Sequence, residues 1–255
     1  MNKKLWTREE EIIVFNLYCT ISFQNSSKNH PEVIKIANLI GRSPSAVNMK
    51  IGNFGSFDDT LKKKGIVGLT NASKLDAQIW AEFNNQWDKL TFESEKIIAK
   101  FQGENNEDDS NIDYIPVGKE KVVDIRQRVN QNFFRKAVLT SYGNACCITG
   151  LNNSELLIAS HIKPWADSNE NEKTNPSNGL CLNALHDKAF DKGFITITPN
   201  YKIHISSTIT DIYNGSTVEK FFKIYDGQRI SIPEKFAPLK EFLTYHNDVI
   251  FQNWR

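Results

Sequence analysis

The chain has 255 residues, of which 40% are hydrophobic and 24% charged, a composition typical of globular proteins. It has no run of about eighteen apolar residues, and its charged start, MNKKLWTREEE, has no apolar core, so we expect neither a membrane span nor a secretion signal. The net charge of +1 argues against a non-specific polycation. The four cysteines form no CxxC pair, which disfavours a zinc knuckle and predicts free thiols in a reducing cytoplasm.

The distribution of charge divides the chain into three parts. Residues 1–102 carry 14 Lys/Arg against 11 Asp/Glu, and residues 125–255 carry 15 against 12. Between them, residues 103–124 carry 2 against 7 and contain few large apolar side chains. Such composition is typical of an exposed connection. We therefore predict a helical domain at 1–102, an acidic linker at 103–124 and a second domain at 125–255, in an α+β chain.

The N-terminal part reads as a series of helices. Thr7 and Glu10 form a capping box, which predicts the start of an amphipathic helix. Two further helices, opened by Pro31 and Pro44, are joined through a glycine turn with helix-turn-helix spacing. In that arrangement the residues placed to contact DNA are Arg42, Asn48 and Lys50. A helical hairpin that only packs the domain is an equally open alternative.

The C-terminal part mixes helices and strands. We predict a helix at 126–141 whose cations Arg126, Arg128 and Arg135 either line DNA or only solubilise the helix. A strand at 155–160, paired with 147–150, would deliver His161. A β-hairpin at 194–206 and a closing helix at 234–251 follow. His30, His204 and His246 are expected to be surface or packed histidines.

The segment 156–197 carries the chemistry. His161 ends a short apolar run, Asn178-Gly179 ends the following polar loop, and His186 lies on a helix after a second short strand. With its motifs ASHIKPW, NPSNGL and LHDKAFDKG, the stretch 134–197 resembles the HNH branch of the ββα-metal endonucleases. More weakly, the region 5–87 is similar to helical regions that precede HNH domains in restriction-type nucleases.

A neutral imidazole, with a pKa near ~6.5, suits a general base at pH 7. The resemblance implies that His161 is this base, that Asn178 orients its strand, and that His186 holds one divalent cation. It implies Mg²⁺, with Mn²⁺ or Ni²⁺ able to substitute, and hydrolysis of double-stranded DNA. Asp191 would ligate through water or brace His186. Ser160 stands where many relatives have a metal-binding Asp, and Lys163 is a further candidate for the DNA backbone.

Three functional interpretations stay open. The first is a restriction or phage-defence endonuclease, with a possible homodimer cutting the two strands. The second is a nuclease directed at modified DNA, and the third is a DNA-binding regulator whose nuclease domain is inactive. The presence of His161, Asn178 and His186 together argues against the third. No small-molecule cofactor and no membrane partner are expected.

Overall fold

The computed structural model describes residues 5–66, 68–69, 71–103, 119–212 and 215–252, with the backbone alone at 119–125 and 210–212. Packing divides the chain into two compact units, Met1–Ala137 and Val138–Arg255. Helices predominate and two small sheets lie in the second unit, so the fold is α+β. Of the linker predicted at 103–124, residues 104–118 lie outside the described residues.

The first unit is helical and is built around its first helix. Thr7 and Glu10 form the predicted capping box, and the four consecutive residues 12–15 are all buried. Four consecutive residues point to all sides of a helix, so this first helix is surrounded by other helices at this level. The helices of this part of the chain are α1 (Arg8–Thr20), α2 (Pro31–Leu39), α3 (Pro44–Gly55), α4 (Asp59–Lys63), α5 (Lys74–Phe83), α6 (Trp87–Phe101) and α7 (Lys119–Ser141), which continues into the second unit.

The pair α2 and α3 begins and ends where the sequence indicates. Gly41 adopts a positive φ of 63° in the turn between them, and the Ser43 hydroxyl accepts a hydrogen bond from the backbone of Ala46. Pro44 then occupies the first helical turn, where a missing N–H costs nothing. Both helices pack on α1.

The described part of the second unit contains five further α-helices and two antiparallel strand pairs. The strand that ends at His161 pairs with the strand that follows Asn178, with His161 opposite Gly179. The predicted partner at 147–150 is therefore not the observed one. The elements are β1 (Leu157–His161), α8 (Glu170–Thr174), β2 (Gly179–Asn183), α9 (Ala184–Asp191), β3 (Ile195–Ile197), β4 (Ile203–Ile205), α10 (Ser207–Ile212), α11 (Ser216–Phe221) and α12 (Lys240–Tyr245).

The strands β1 and β2 and the helix α9 form the core around which the site is built. Every residue of β2 is buried, and α9 packs against both strands. Asn183 ends β2 and caps α9 by accepting a hydrogen bond from the backbone of His186 at 2.9 Å. The direct step from strand to helix fixes the rotation of α9 on the strand pair.

The end of the described chain differs from the predicted helix at 234–251. A proline disfavours helical conformation in the residue before it, and α12 begins only two residues after Pro238. From His246 to Ile250 the chain forms a π-helical turn instead of an α-helix. Gln252 then donates a backbone hydrogen bond of 2.9 Å to the carbonyl of Gly193, which lies just after α9.

Candidate active site

An open cavity of about 480 Å³ lies in the second unit, beside β1 and α9. Its walls include Ser160 and His161 from the end of β1, and Asp187 and Asp191 from α9. The two aspartates are four residues apart, so they lie on one face of the helix. The cavity therefore brings a histidine and two carboxylates together.

Hydrogen bonding fixes the state of the half-buried His161 ring. Its Nε2 lies 2.9 Å from the carbonyl oxygen of Lys173. Since a carbonyl only accepts, Nε2 carries the proton, and in the neutral ring the lone pair is then on Nδ1. Burial lowers the pKa of His161 below its ordinary value of 6.5, although the Lys173 carbonyl opposes the change. An imidazole with a pKa below 6.5 is mostly neutral at pH 7.

Asn178 holds the loop between β1 and β2, and its side chain is fully buried. Its Oδ1 accepts from the backbone N–H of Lys163 at 2.8 Å, and its Nδ2 donates to the carbonyls of Lys163 and Glu172, both at 3.2 Å. The carbonyl of Asn178 accepts from the backbone of Ile162 at 2.9 Å. These bonds fix the residues that directly follow His161.

The two aspartates of the cavity carry an electrostatic cost. Burial raises the pKa of Asp187, although the Ser160 hydroxyl opposes the rise. Burial also raises the pKa of Asp191, and the charge of Asp187 raises it further. A cation bound close to both carboxylates would offset their repulsion and stabilise their charged forms.

The structure places His186 differently from the prediction that it holds a metal in the cavity. The residue is 1% exposed, and its ring makes edge-type contacts with the rings of Phe222 and Tyr225. Its Nε2 donates to the carbonyl of Phe221 at 2.8 Å, and its Nδ1 lies 2.8 Å from the Asn183 amide nitrogen. With both nitrogens engaged, His186 ties α9 to α11.

The sequence from the loop before β1 to the end of β3 matches a known family model. Residues 146–198 match the HNH endonuclease family model. The second unit therefore contains an HNH domain, which is a domain of nucleases. No curated protein matches the chain.

The HNH domain has donors that fit a divalent cation. Among the described residues, no group of three or more His, Cys, Asp or Glu side chains is arranged to hold a metal. Mg²⁺ is usually held by only one or two carboxylates and keeps several waters. Asp187 and Asp191, with raised pKa values on one face of α9, meet that requirement. Asp187 was not among the residues predicted from the sequence, although its four-residue spacing from Asp191 places the two carboxylates on one helical face.

Lys163, the basic candidate in the loop of the HNH domain, is engaged within the loop. Its ammonium lies 2.7 Å from a carboxylate oxygen of Glu172 and 5.4 Å from the centre of the Tyr245 ring. Glu172 in turn caps α8 through the backbone N–H of Asn169 at 2.8 Å. The ion pair therefore organises the loop that carries the Lys173 carbonyl.

Three residues were predicted to contact DNA from the α2–α3 region, and two of them are held in ion pairs. Lys50 is 4% exposed, with its ammonium 2.8 Å from Glu11 and 2.5 Å from Asp76. Arg42 forms an ion pair of 2.7 Å with Glu10. Neither cation is presented at the surface in this structure. The third residue, Asn48, is half-buried on α3.

The cations predicted on the long helix α7 lie on its exposed side. Arg126 is paired with Asp88 of α6, through its Nε at 2.9 Å among other contacts. Arg128 and Arg135 are exposed, two helical turns apart. All three belong to the helical unit, which ends at Ala137. No helix among the described residues has the length and apolarity needed to cross a bilayer.

Proposed function

We propose that the protein is a divalent-metal-dependent DNA endonuclease whose general base is His161 and whose metal ligands are Asp187 and Asp191. One observation carries the proposal: the basic His161 and the two mutually repelling carboxylates line the same cavity. The metal assignment replaces His186 with Asp187, since His186 is buried with both nitrogens engaged.

His161 would act by removing a proton from water at Nδ1. The hydrogen bond from Nε2 to the Lys173 carbonyl keeps the ring in the tautomer that this step needs. The same carbonyl stabilises the positive charge that the ring gains on protonation. Trp165 contacts the His161 ring edge to face, with ring centres 5.6 Å apart, and this contact restricts the rotation of the imidazole.

Asp187 and Asp191 would bind one divalent cation, Mg²⁺ by preference. When bound, such a cation supplies Lewis-acid stabilisation of the phosphate and its leaving oxygen. The role of the aspartates is to fix its position, and α9 does so because both side chains project from one helical face. Asn178 would contribute by holding the loop after His161 in place.

The test is a plasmid-nicking assay with Mg²⁺, using the parent, His161→Ala, Asp187→Asn and Asp191→Asn. Loss of a general base costs about 10²–10⁴-fold in rate, and we expect a loss of that size for His161→Ala. His204→Ala is the matched control, because His204 is exposed on β4. Cleavage by His161→Ala at the parental rate would refute the assignment, and so would full parental cleavage in EDTA. No cleavage by any protein would favour a DNA-binding regulator instead.

A restriction or phage-defence role is the finer part of the proposal, and it is supported by the resemblance of the helical region in 5–87. Such an enzyme breaks both strands, either as a dimer or by two successive nicks. The time course of supercoiled, nicked and linear plasmid distinguishes these routes, because only successive nicking accumulates the nicked form. Plaque counts on cells with the parent and with His161→Ala test the defence role: equal counts would refute it.

A further inference from the structure

One wall of the cavity comes from residues well beyond the segment that matches the HNH family. His246 and Ile250 line the cavity, whereas the family match ends at residue 198. Both residues belong to the π-helical turn that follows α12. A π-helical turn within a helical segment is rare and is frequently found at functional sites.

His246 is bound to the last turn of α9. The side chain is 1% exposed, and its ring stacks on that of Phe190 with centres 3.7 Å apart and planes 14° apart. Its Nε2 donates to the carbonyl of Phe190 at 3.1 Å, and its Nδ1 lies 2.8 Å from the hydroxyl of Thr196. The Phe190 carbonyl also accepts from the backbone N–H of Gly193 at 2.8 Å, and the imidazole adds a side-chain donor at the last turn, where carbonyls lack the regular helical partner. Phe190 immediately precedes Asp191.

The segment after His246 is held against the end of α9 at a second point. Gln252 donates from its backbone to the carbonyl of Gly193, at 2.9 Å, and from its side chain to the carbonyl of Lys192, at 2.8 Å. Gly193 has a positive φ of 70°, and a Cβ there would lie 2.1 Å from the carbonyl oxygen of Ile250. Only glycine permits this close approach.

We propose that His246 is a positioning residue: by holding the last turn of α9, it keeps Asp187 and Asp191 in the geometry that binds the divalent cation. The inference rests on the proposed function of those two aspartates. Residues that orient metal ligands through hydrogen bonds typically affect metal affinity by about 10–100-fold when they are replaced. His246 acts through the backbone of α9 and touches neither the cation nor the substrate.

The test is calorimetric titration of Mn²⁺ into the purified full-length chain, with thermal melting of each protein. His246→Phe keeps an aromatic ring on Phe190 but removes both hydrogen bonds, and we expect Mn²⁺ to bind about tenfold or more weakly. His246→Gln restores a donor for the Phe190 carbonyl, and its affinity should lie closer to that of the parent. Phe242→Leu is the control, because Phe242 is buried in the same segment without a hydrogen bond to α9. It should lower the melting temperature and leave Mn²⁺ affinity within about twofold.

Each alternative outcome has one meaning. Parental Mn²⁺ affinity in His246→Phe overturns the positioning role, and so does an equal loss in Phe242→Leu, which would reflect stability alone. If the parent binds no Mn²⁺, or if Asp187→Asn binds it as the parent does, the metal assignment fails and the inference fails with it. If His246→Phe shows no melting transition, Thr196→Val decides the matter: removal of the hydroxyl should weaken Mn²⁺ binding several-fold, and unchanged affinity overturns the proposal.

Discussion

Replacement of Asn178 is the most direct way to test how the loop after His161 is held. In Asn178→Ala, the backbone N–H of Lys163 loses its acceptor, and two carbonyls lose a donor. The side chain is fully buried, so water does not replace these partners without rearrangement. An orphaned buried donor costs about 1–3 kcal/mol, and each lost neutral hydrogen bond costs about 0.5–1.5 kcal/mol.

These contributions add up to a loss of about 2–6 kcal/mol in the free energy of unfolding, with about 4 kcal/mol as the central expectation. Asn175→Ala is the matched control in the same loop. Asn175 is half-buried and makes one local capping bond, to the backbone of Ser177 at 3.0 Å. Loss of such a cap costs about 1 kcal/mol. The two variants make the same chemical change three residues apart.

Urea unfolding at pH 7 measures the difference between the two variants, and plasmid nicking measures its consequence. We expect Asn178→Ala to be less stable than Asn175→Ala by about 3 kcal/mol, the difference of the two values above. Its cleavage rate should fall about 10–100-fold, because His161 and the Lys173 carbonyl then move independently. If the two variants unfold within 1 kcal/mol of each other, or if Asn178→Ala cleaves at the parental rate, Asn178 does not hold the loop as described.

Three further predictions follow from the charges of the two units. Burial lowers the pKa of His161 below 6.5, and the base must be neutral, so the fall of kcat/KM toward acid pH at saturating Mg²⁺ should have its midpoint below pH 6.5; a midpoint above pH 6.5 contradicts this. Asp191→Asn removes the repulsion between Asp191 and Asp187, so without metal this variant should melt no lower than the parent, and a lower melting temperature contradicts the repulsion. With Mg²⁺, its cleavage rate should fall by about 100-fold or more. Burial raises the pKa of Glu11 to about 7, above its unfolded value near 4.5, so the stabilising effect of its protonation is present below pH 4.5 and lost by pH 7. The free energy of unfolding of the parent minus that of Glu11→Gln should therefore fall by as much as about 3 kcal/mol between pH 4.5 and pH 8 in urea titrations, and a constant difference contradicts the raised pKa.

Local signals predicted much of the fold. The capping box at Thr7, the prolines at 31 and 44, and the β-hairpin around residues 199–200 all depend on interactions within a few residues, and the structure has each of them. The pairing of β1 was predicted incorrectly, because a short apolar run fits several partners equally well. The choice of β2 depends on the whole loop folding back through Asn178, which is a tertiary interaction.

The roles of cations were the hardest to predict from sequence. Lys50 sits on the helix expected to face DNA, and its type and spacing suit a phosphate contact. In the structure it is buried because Glu11 and Asp76 come from two other helices to meet it. Cations are rarely buried unless they are paired, and the pairing partners lie 39 and 26 residues away in sequence. No local pattern encodes that pairing.

In the structure the cavity is lined by Asp187 and not by the neighbouring His186. Neighbouring residues on an α-helix point about 100° apart, so a motif that places a helix correctly can still leave its rotation open by one residue. Two contacts set the rotation of α9: Asn183 caps the helix at His186, and the Phe221 carbonyl accepts from the imidazole of His186. Both contacts hold His186 on the side turned toward α11. This rotation places Asp187 at the cavity wall, and Asp191, about one turn further along the helix, lines the same cavity. The imidazole that the motif suggests as a ligand is thus buried toward α11, and the carboxylates of Asp187 and Asp191 line the cavity.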